Sequence, residues 1–442
     1  MLIHSEPIFA ILGYCITQQI YSGSKTLVYQ GIREKDQQLV ILKLMRNEYP
    51  TYHEIAQFRK QYAIAKNLNI AGIVKPYSLE SYHNSYVLVL EDFGGIPLKD
   101  YISRVEITDT SFLKQFFHIA IQIASTLHEL HCHRIIHKDI KPGNILINPT
   151  TLEVKLTDFS LASLLPKEIQ QLTNPNCLEG TLAYISPEQT GRMNRGIDYR
   201  SDFYSLGVTF FELLTGQLPF TTKDPMELVH CHIAKQPPMA HSLNSNLPLT
   251  VSDIISKLMA KDAEDRYHSA FGLKHDLEIC SQQWEETGNI IPFLLGEQDV
   301  SDRFLIPEKL YGRQQEVETL LAAFERVTGG TSEIVLVTGP SGIGKTAVVN
   351  EVHKPIVRQR SYFIKGKFDQ FQRDILLSGF LQAFQDLIRQ LLSEPDAILQ
   401  QWKSKILSAL GASNSASLLI KLSYSSSIGF VGCFSDSVTH YL

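Results

Sequence analysis

Two polar segments in the first half of the sequence carry side chains that could transfer a phosphoryl group. Residues 137–144 read H-K-D-I-K-P-G-N, and residues 158–160 read D-F-S. Phosphoryl transfer from ATP needs a carboxylate that accepts the proton of the attacking hydroxyl, oxygen ligands for Mg²⁺ and cations near the phosphates. Asp139 suits the first task, and Asn144 and Asp158 offer the oxygen ligands that Mg²⁺ prefers. Lys141, two residues beyond Asp139, can reach the transferred phosphate.

A glycine-rich segment in the second half of the sequence is suited to binding nucleotide phosphates. Residues 339–346 read G-P-S-G-I-G-K-T and match the pattern G-x-x-x-x-G-K-[ST] in full. Gly339, Gly342 and Gly344 let backbone N–H groups close around the phosphates. Lys345 can bridge the phosphates, and the hydroxyl of Thr346 can bind Mg²⁺. The alternative is a glycine-rich turn with a solvated lysine, but the apolar run before it and the helical pattern after it favour a nucleotide site.

The elements that must position these segments are of two kinds. Residues 14–48 and 73–92 alternate between β-branched or aromatic runs and turn signals, which predicts antiparallel strands. Helical spacing predicts a helix over residues 53–68 and a mostly helical region beyond residue 100, with a fully buried helix at 203–214. This order is an α+β plan. The apolar run at 333–338 predicts the strand that opens an α/β nucleotide-binding domain.

The composition is that of an ordinary globular protein of two or three domains. The chain has 442 residues and a net charge of −5, which gives no electrostatic reason to expect nucleic acid or an anionic membrane as the main partner. Its 6 cysteines are scattered without metal-ligand spacing, which predicts a reducing, cytoplasmic environment. Nowhere do about 18 apolar residues run together, so no membrane span is expected.

The ordered motifs between residues 40 and 266 resemble those of eukaryotic-like protein kinases. The V-I-L-K run at 40–43 resembles the strand whose lysine holds the ATP phosphates, and S-P-E at 186–188 resembles the end of an activation segment. Asp202 and Arg266 resemble two later structural markers, while the K-P pair at 141–142 and Thr181 resemble the serine/threonine branch. Solvated loop charges are the alternative for an isolated H-x-D, but they do not explain an ordered set. The resemblance implies a bilobal fold with a small β-rich N-lobe and a larger helical C-lobe.

The same resemblance assigns the nucleotide contacts of the N-lobe. Lys43 takes the place of the strand lysine, and Glu91 is included among the residues expected to contact the nucleotide. The glycine-rich loop is degenerate: when Val28 is aligned with the valine of G-x-G-x-x-G-x-V, only Gly23 occupies a glycine position.

Three positions depart from the family pattern. Gln61 stands where the family has the helix glutamate that pairs with the strand lysine, and a neutral amide loses the charge-assisted part of that contact. Lys138 replaces an arginine that grips an activation-segment phosphate, so control by such phosphorylation is less expected. Ser160 replaces the glycine of D-F-G, and its β-carbon restricts backbone flips. None of the three removes the base or the metal ligands.

The second half resembles signal-transduction ATPases of the AAA-related and STAND kind. The L-Y-G-R run at 310–313 resembles their entry segment, but no apolar strand ending in acidic residues follows Thr346, so hydrolysis is not expected. The two halves together resemble large cyanobacterial-type hybrid kinases, in which sensor and histidine-kinase modules follow. We predict a kinase domain at 8–280, a linker at 281–307, a partial P-loop domain at 308–412, and a disordered or frame-shifted tail at 413–442 that marks a truncated chain.

The favoured function is therefore ATP-dependent phosphorylation of serine or threonine in a protein substrate. Asp139 is the predicted base, Lys141 the phosphate contact, and Lys43 the nucleotide anchor, with Mg²⁺ on Asn144 and Asp158. The alternative is a pseudokinase, a nucleotide-binding interaction module that signals through the P-loop domain. The Gln61 substitution and the degenerate loop favour the alternative, whereas the intact catalytic and metal-binding residues favour the enzyme.

Overall fold

The structure is a computed structural model. It describes residues 11–104, 110–164, 181–191, 196–222, 224–300, 310, 312–328, 330–340, 342–351, 362–366, 378–391, 400–402, 404–405 and 431–434. The chain divides into two compact units. The first comprises residues 1–168, 198–219 and 237–304, and the second comprises residues 169–197, 220–236 and 305–442.

The described residues form strands and helices along the chain. The strands are β1 (Tyr14–Ser22), β2 (Thr26–Arg33), β3 (Gln38–Met45), β4 (Pro76–Tyr82), β5 (Ser85–Glu91), β6 (Ile96–Pro97), β7 (Ile145–Ile147), β8 (Val154–Leu156), β9 (Tyr362–Lys365) and β10 (Val431–Phe434). The helices are α1 (Tyr52–Ala65), α2 (Leu98–Ile102), α3 (Thr110–Cys132), α4 (Arg200–Thr215), α5 (Pro225–Ala234), α6 (Ala240–Leu243), α7 (Leu249–Leu258), α8 (Ala270–Thr287), α9 (Gln314–Thr328), α10 (Lys345–Glu351) and α11 (Ser378–Leu391).

The first unit begins with an antiparallel sheet of strand order β1-β2-β3-β5-β4, which confirms the predicted strands. Successive side chains of a strand point to opposite faces. In β3, Val40, Leu42 and Leu44 therefore enter one core cluster with residues of β1, β2 and β5. Lys43 lies on the other face, where Phe58 of α1 packs against residues of β5.

Helix α1 is started by a capping box. The hydroxyl of Thr51 accepts a hydrogen bond from the backbone N–H of Glu54, and the Glu54 carboxylate accepts the backbone N–H of Thr51. Both contacts satisfy N–H groups that a helix start would otherwise leave unpaired. The helix buries Phe58 and Gln61 on one face. Glu54 is thus engaged at the helix start and does not replace the missing glutamate at position 61.

The rest of the first unit is mainly helical and supports a small sheet of order β6-β7-β8. Nearly every residue of α4 is buried, as predicted for residues 203–214. Helix α4 approaches α7 closely at Gly207, where a β-carbon would come within 2.8 Å of the Leu258 and Met259 side chains. Helix α3 packs against α8 and β8.

Residues 288–300, which we call the strap, are held against the start of α8. The Asp299 carboxylate accepts hydrogen bonds from the backbone N–H groups of His268 (2.7 Å) and Ser269 (2.8 Å) and from the Ser269 hydroxyl (2.9 Å). Asp276 accepts the Tyr267 hydroxyl at 2.6 Å and the backbone N–H of Gly296 at 2.8 Å. The segment predicted as a linker from residue 281 therefore begins as helix and continues as the hydrogen-bonded strap.

The second unit includes α5 and α9 to α11, with β9 and β10 forming an antiparallel pair. The strand predicted at residues 333–338 is wrong: residues 331–340 form no regular element. A strand exists only through hydrogen bonds to a neighbour, and no described residue pairs with this run, which leaves Ile334 98% exposed. Within the predicted tail, residues 431–434 form β10, and the rest of 413–442 lies outside the described residues. The domain boundaries remain predictions.

Candidate active site

Lys43 connects the sheet of the first unit to α1 and to the segment after β8. Its Nζ donates a hydrogen bond to Oε1 of Gln61 at 3.1 Å and forms an ion pair with Oδ2 of Asp158 at 3.1 Å. Lys43 and Gln61 are both buried. The amide thus takes the position at Lys43 that the sequence comparison predicted for it, and it contributes an acceptor without a charge.

Asp158 is ionised at neutral pH. Burial alone would raise its pKa, but the charge and hydrogen bond of Lys43, together with a hydrogen bond from Ser160, lower the pKa to about 2. The backbone of Asp158 is left-handed, with φ of 64°. The left-handed residue of this turn is therefore Asp158 and not Ser160. The β-carbon of Ser160 adds no backbone strain here.

Asp139 is held between two donors of its own loop. Nζ of Lys141 lies 2.5 Å from Oδ2 of Asp139, and Nδ2 of Asn144 donates to the same oxygen at 2.7 Å. Asn144 also donates to the backbone oxygen of Asp139 at 2.9 Å. The 3₁₀ turn Pro142–Asn144 between them brings the three side chains together.

Asn144 and Asp158 fit a Mg²⁺ ion in chemical terms. Both hydrogen bonds of the Asn144 side chain leave from Nδ2, so none among the described residues engages its amide oxygen. Asp158 adds a charged carboxylate. No group of three or more His, Cys, Asp or Glu side chains among the described residues could hold a metal. A Mg²⁺ ion commonly takes one or two protein ligands and fills its other positions with phosphate oxygens and water.

Residues 137–144, which we call the catalytic loop, are held at their first two residues by Asp202. Its carboxylate accepts the N–H groups of His137 at 2.9 Å and Lys138 at 2.8 Å, and it lies 3.0 Å from Nε2 of His131. Asp202 is 0% exposed. Lys138 has a left-handed backbone, with φ of 68°, which this pair of hydrogen bonds holds in place. The role of His131 was missed, because a histidine within a long helix carries no motif.

The degenerate glycine-rich loop joins β1 to β2. Gly23 donates its N–H to the carbonyl oxygen of Thr26 and accepts a hydrogen bond from Arg46 at 2.9 Å. A β-carbon at Gly23 would come within 2.6 Å of the Tyr21 ring, which is the far end of an exposed side chain and can move away. Val28 lies directly opposite Lys43 in the β2–β3 register. Two of the predicted nucleotide contacts are therefore next to each other.

Glu91, the remaining predicted contact of this region, forms an ion pair with Lys155, for which no sequence motif predicted a role. Nζ of Lys155 lies 2.9 and 3.0 Å from the two carboxylate oxygens of Glu91, and Lys155 is buried in β8. A signal was available: a lysine between Val154 and Leu156 in a buried strand needs a charged partner. The partner lies 64 residues away, and no local pattern identifies it.

The P-loop glycines of the second unit have positive φ angles, which glycine adopts more readily than other residues. Gly339, Gly342 and Gly344 have φ of 156°, 83° and 94°. The last two values lie where side chains are disfavoured. Nζ of Lys345 donates to the carbonyl oxygens of Gly339 (2.9 Å) and Pro340 (2.8 Å), so the ammonium lies over the loop. Lys345 and Thr346 begin α10.

A lysine-anchored antiparallel sheet beside a loop with a carboxylate, a lysine and an amide is typical of nucleotide-dependent phosphotransferases. Residues 14–277 match the family model described as "Protein kinase domain", and residues 309–427 match the one described as "AAA ATPase domain". The first match covers more than half of the chain, and the chain belongs to the protein kinase family. An ATPase-type P-loop domain follows the kinase domain.

Similar proteins include signalling kinases of two kinds. The chain is 34% identical over 387 residues to Hybrid signal transduction histidine kinase G of Dictyostelium discoideum. This alignment covers 68% of this chain and 11% of the relative. It is 33% identical over 270 residues to serine/threonine-protein kinase PrkC of Bacillus subtilis, covering 60% of this chain and 40% of the relative. A probable serine/threonine-protein kinase PknB of Lactococcus lactis is 31% identical over 257 residues, and this alignment covers 58% of this chain and 40% of the relative. The aligned part thus spans less than half the length of these relatives.

The two family matches imply that the chain binds ATP. Among the described residues, no helix is both long and apolar enough to cross a lipid bilayer.

Proposed function

We propose that this chain transfers the γ-phosphoryl group of ATP to serine and threonine hydroxyls of proteins. The observation that carries the proposal is the position of Asp139 between Lys141 (2.5 Å) and Asn144 (2.7 Å). A carboxylate held in this way can accept the proton of a substrate hydroxyl as the hydroxyl attacks. The names of the bacterial relatives support serine and threonine as the accepting residues.

Each remaining residue has one task in this proposal. Lys43 binds the phosphates of ATP and keeps Asp158 ionised, while Lys141 lies beside the transferred group. A Mg²⁺ ion held by Asn144 and Asp158 would neutralise phosphate charge. Asp202 holds the N–H groups of His137 and Lys138 and thereby the shape of the loop.

A pseudokinase is the alternative, and Gln61 is the observation in its favour. The amide cannot supply the charge that a glutamate would give to Lys43. The contact itself is made, however, at 3.1 Å, and the carboxylates of Asp139 and Asp158 are both present. The proposed enzyme is therefore favoured over a module that binds nucleotide without transferring phosphate.

The second unit supports a separate nucleotide site in this proposal. The backbone N–H groups of residues 342–346 and the ammonium of Lys345 are suited to the phosphates of a second nucleotide. The relative from Dictyostelium discoideum is named a hybrid histidine kinase, which supports sensor or histidine-kinase modules as signalling partners. A cytoplasmic location, where ATP is plentiful, belongs to the same proposal.

The test is transfer of labelled phosphate by the purified full chain in the presence of Mg²⁺, followed by phosphoamino-acid analysis of a general protein substrate. We expect labelled serine and threonine, and we expect Asp139→Asn to lower the rate by about 10²-fold or more. ATP affinity should hardly change. Asp253→Asn, an exposed aspartate of α7, is the matched control. Transfer within about twofold of the unaltered chain by Asp139→Asn would rule out Asp139 as the base.

A further inference from the structure

The segment that follows β5 is held by side chains from other strands of the first unit. Lys155 of β8 pairs with both carboxylate oxygens of Glu91, and its Nζ lies 4.9 Å from the centre of the Phe93 ring. The Lys155 side chain is 10% exposed and that of Glu91 17%. A cation over an aromatic face is stabilised further when water is excluded. One lysine therefore fixes two residues of this segment.

Two more side chains hold Asp92 and Phe93 of this segment. Oδ2 of Asp92 accepts a hydrogen bond from Nε2 of Gln30 in β2 at 2.6 Å. The carbonyl oxygen of Phe93 accepts one from Nδ2 of Asn148, directly after β7, at 2.6 Å. Residues 91–93 are thus held from β2, β7 and β8 at once, which leaves their backbone little freedom.

The strand register gives the distance from this segment to Lys43. Lys43 lies opposite Leu88 in the β3–β5 pair, and Val40 lies opposite Glu91. Three residues of a strand span about 10 Å. A nucleotide with its phosphates at Lys43 and its long axis running along β3 toward Val40 would bring its base to residues 91–93.

We propose that Lys155 is a positioning residue for the base of ATP: it fixes the backbone of residues 91–93 without touching the nucleotide. This inference rests on the proposed kinase function. The oxygens of Glu91 already accept two hydrogen bonds from Lys155 and one from the backbone N–H of Lys75 at 2.7 Å. The carboxylate is thereby occupied. The Phe93 carbonyl oxygen is held by Asn148 and the Glu91 N–H by the Lys75 carbonyl oxygen. The other backbone groups of residues 91–93 are therefore left to the base in this proposal.

Loss of Lys155 would act through Glu91. A carboxylate that loses its buried cation must find water or another partner, because an unpaired buried charge is costly. We expect Glu91 to turn outward and the backbone of residues 91–93 to follow it. The base would then lose its site. Lys43, which binds the phosphates in this proposal, would keep its contacts with Gln61 and Asp158.

The experiment compares a ligand for the base end with a ligand for the phosphate end. The full chain carries Lys345→Ala in every sample, which removes the ammonium group of the proposed second nucleotide site and leaves any remaining binding there the same for every variant compared. Calorimetry measures the dissociation constants of adenosine and of magnesium tripolyphosphate. For Lys155→Met we expect adenosine to bind about tenfold more weakly and tripolyphosphate to change by less than about twofold. KM for ATP should rise while kcat stays within about twofold, the pattern of lost uniform binding.

Two controls separate positioning from general stability. Glu153→Gln removes the other carboxylate beside Lys155, at 3.4 Å and on the surface, and should leave both ligands unaffected. Lys155→Arg keeps the cation and should restore adenosine binding. If Lys155→Met does not fold, Glu91→Gln is measured instead, because it removes the pair and keeps a polar group at this position.

Equal losses for adenosine and tripolyphosphate, or unchanged adenosine binding, would overturn the assignment of Lys155. Adenosine binding is measured without turnover. Absence of phosphate transfer in the unaltered chain would therefore contradict the proposed kinase function, and the adenosine affinities would still decide on Lys155.

Discussion

The amide oxygen of Gln61 accepts a hydrogen bond from the ammonium group of Lys43 over 3.1 Å, and both side chains are buried. Lys43 has a carboxylate partner on its other side, at Asp158. A second carboxylate at position 61 would compete with Asp158 for the same ammonium. It would also leave more of the Asp158 carboxylate available as a metal ligand.

We therefore expect Gln61→Glu to raise kcat. A hydrogen bond between an ammonium and a carboxylate is stronger than one between an ammonium and a neutral amide, by roughly 1 kcal/mol, which corresponds to an increase of about fivefold. Initial rates at saturating ATP give the measurement. In a Lys43→Ala background the change should have no effect, since the pair has lost its second member. The same increase in both backgrounds would show that residue 61 acts in another way.

The low pKa of Asp158 predicts how the stability of the first unit depends on pH. The folded-state pKa of about 2 lies below the ordinary value of 3.8, so the ionised group stabilises the fold above about pH 4. This stabilisation, of about 2 kcal/mol, is lost as the pH falls from 4 to 2.

Urea unfolding of the unaltered chain and of Asp158→Asn tests this dependence. The difference between their unfolding free energies should be constant from about pH 5 to 8 and should shrink between about pH 4 and 2. A difference that changes mainly between about pH 5 and 8 would mean that another group titrates in place of Asp158.

Asp202→Ala should destabilise the catalytic loop. Two buried N–H groups, of His137 and Lys138, would lose their acceptor at a cost of about 1–3 kcal/mol each. Thermal unfolding followed by circular dichroism should show a clear loss of stability, with a fall in kcat. Asp253→Ala, which removes an exposed carboxylate, should leave both unchanged. An unaltered midpoint for Asp202→Ala would show that the loop is held by other contacts.

Asp299→Ala should release the strap. The carboxylate accepts two backbone N–H groups and the Ser269 hydroxyl, and their loss should lower the unfolding free energy by about 1–3 kcal/mol. Limited proteolysis should then cut the strap sooner. Glu297→Ala changes an exposed carboxylate of the same segment and is the control. Equal cleavage rates for the two variants would contradict an anchoring role for Asp299.

The sequence predicted the parts of the fold and site that depend on local patterns. The antiparallel strands and the buried helix α4 followed from periodicity. The contact of Gln61 with Lys43 followed from the resemblance to protein kinases. The ion pair of Lys155 with Glu91 could not be predicted in this way, because its partners are 64 residues apart.

The strand predicted at 333–338 failed for a related reason. An apolar run shows that a segment favours burial, but a strand also needs a neighbour that supplies hydrogen bonds. Asp299 shows the converse case: a polar, proline-containing sequence was interpreted as a linker, although its carboxylate binds backbone groups 30 and 31 residues earlier.

The strap also bears on how kinase domains of this kind can be exchanged between proteins. The family match ends at residue 277, yet Asp276 receives its second hydrogen bond from Gly296, and Ser269 is bonded to Asp299. A recombination point at the end of the match would leave these groups without their partners. A chimera that places this kinase domain in front of another module should therefore include residues 278–300, so that the domain and the strap are transferred together.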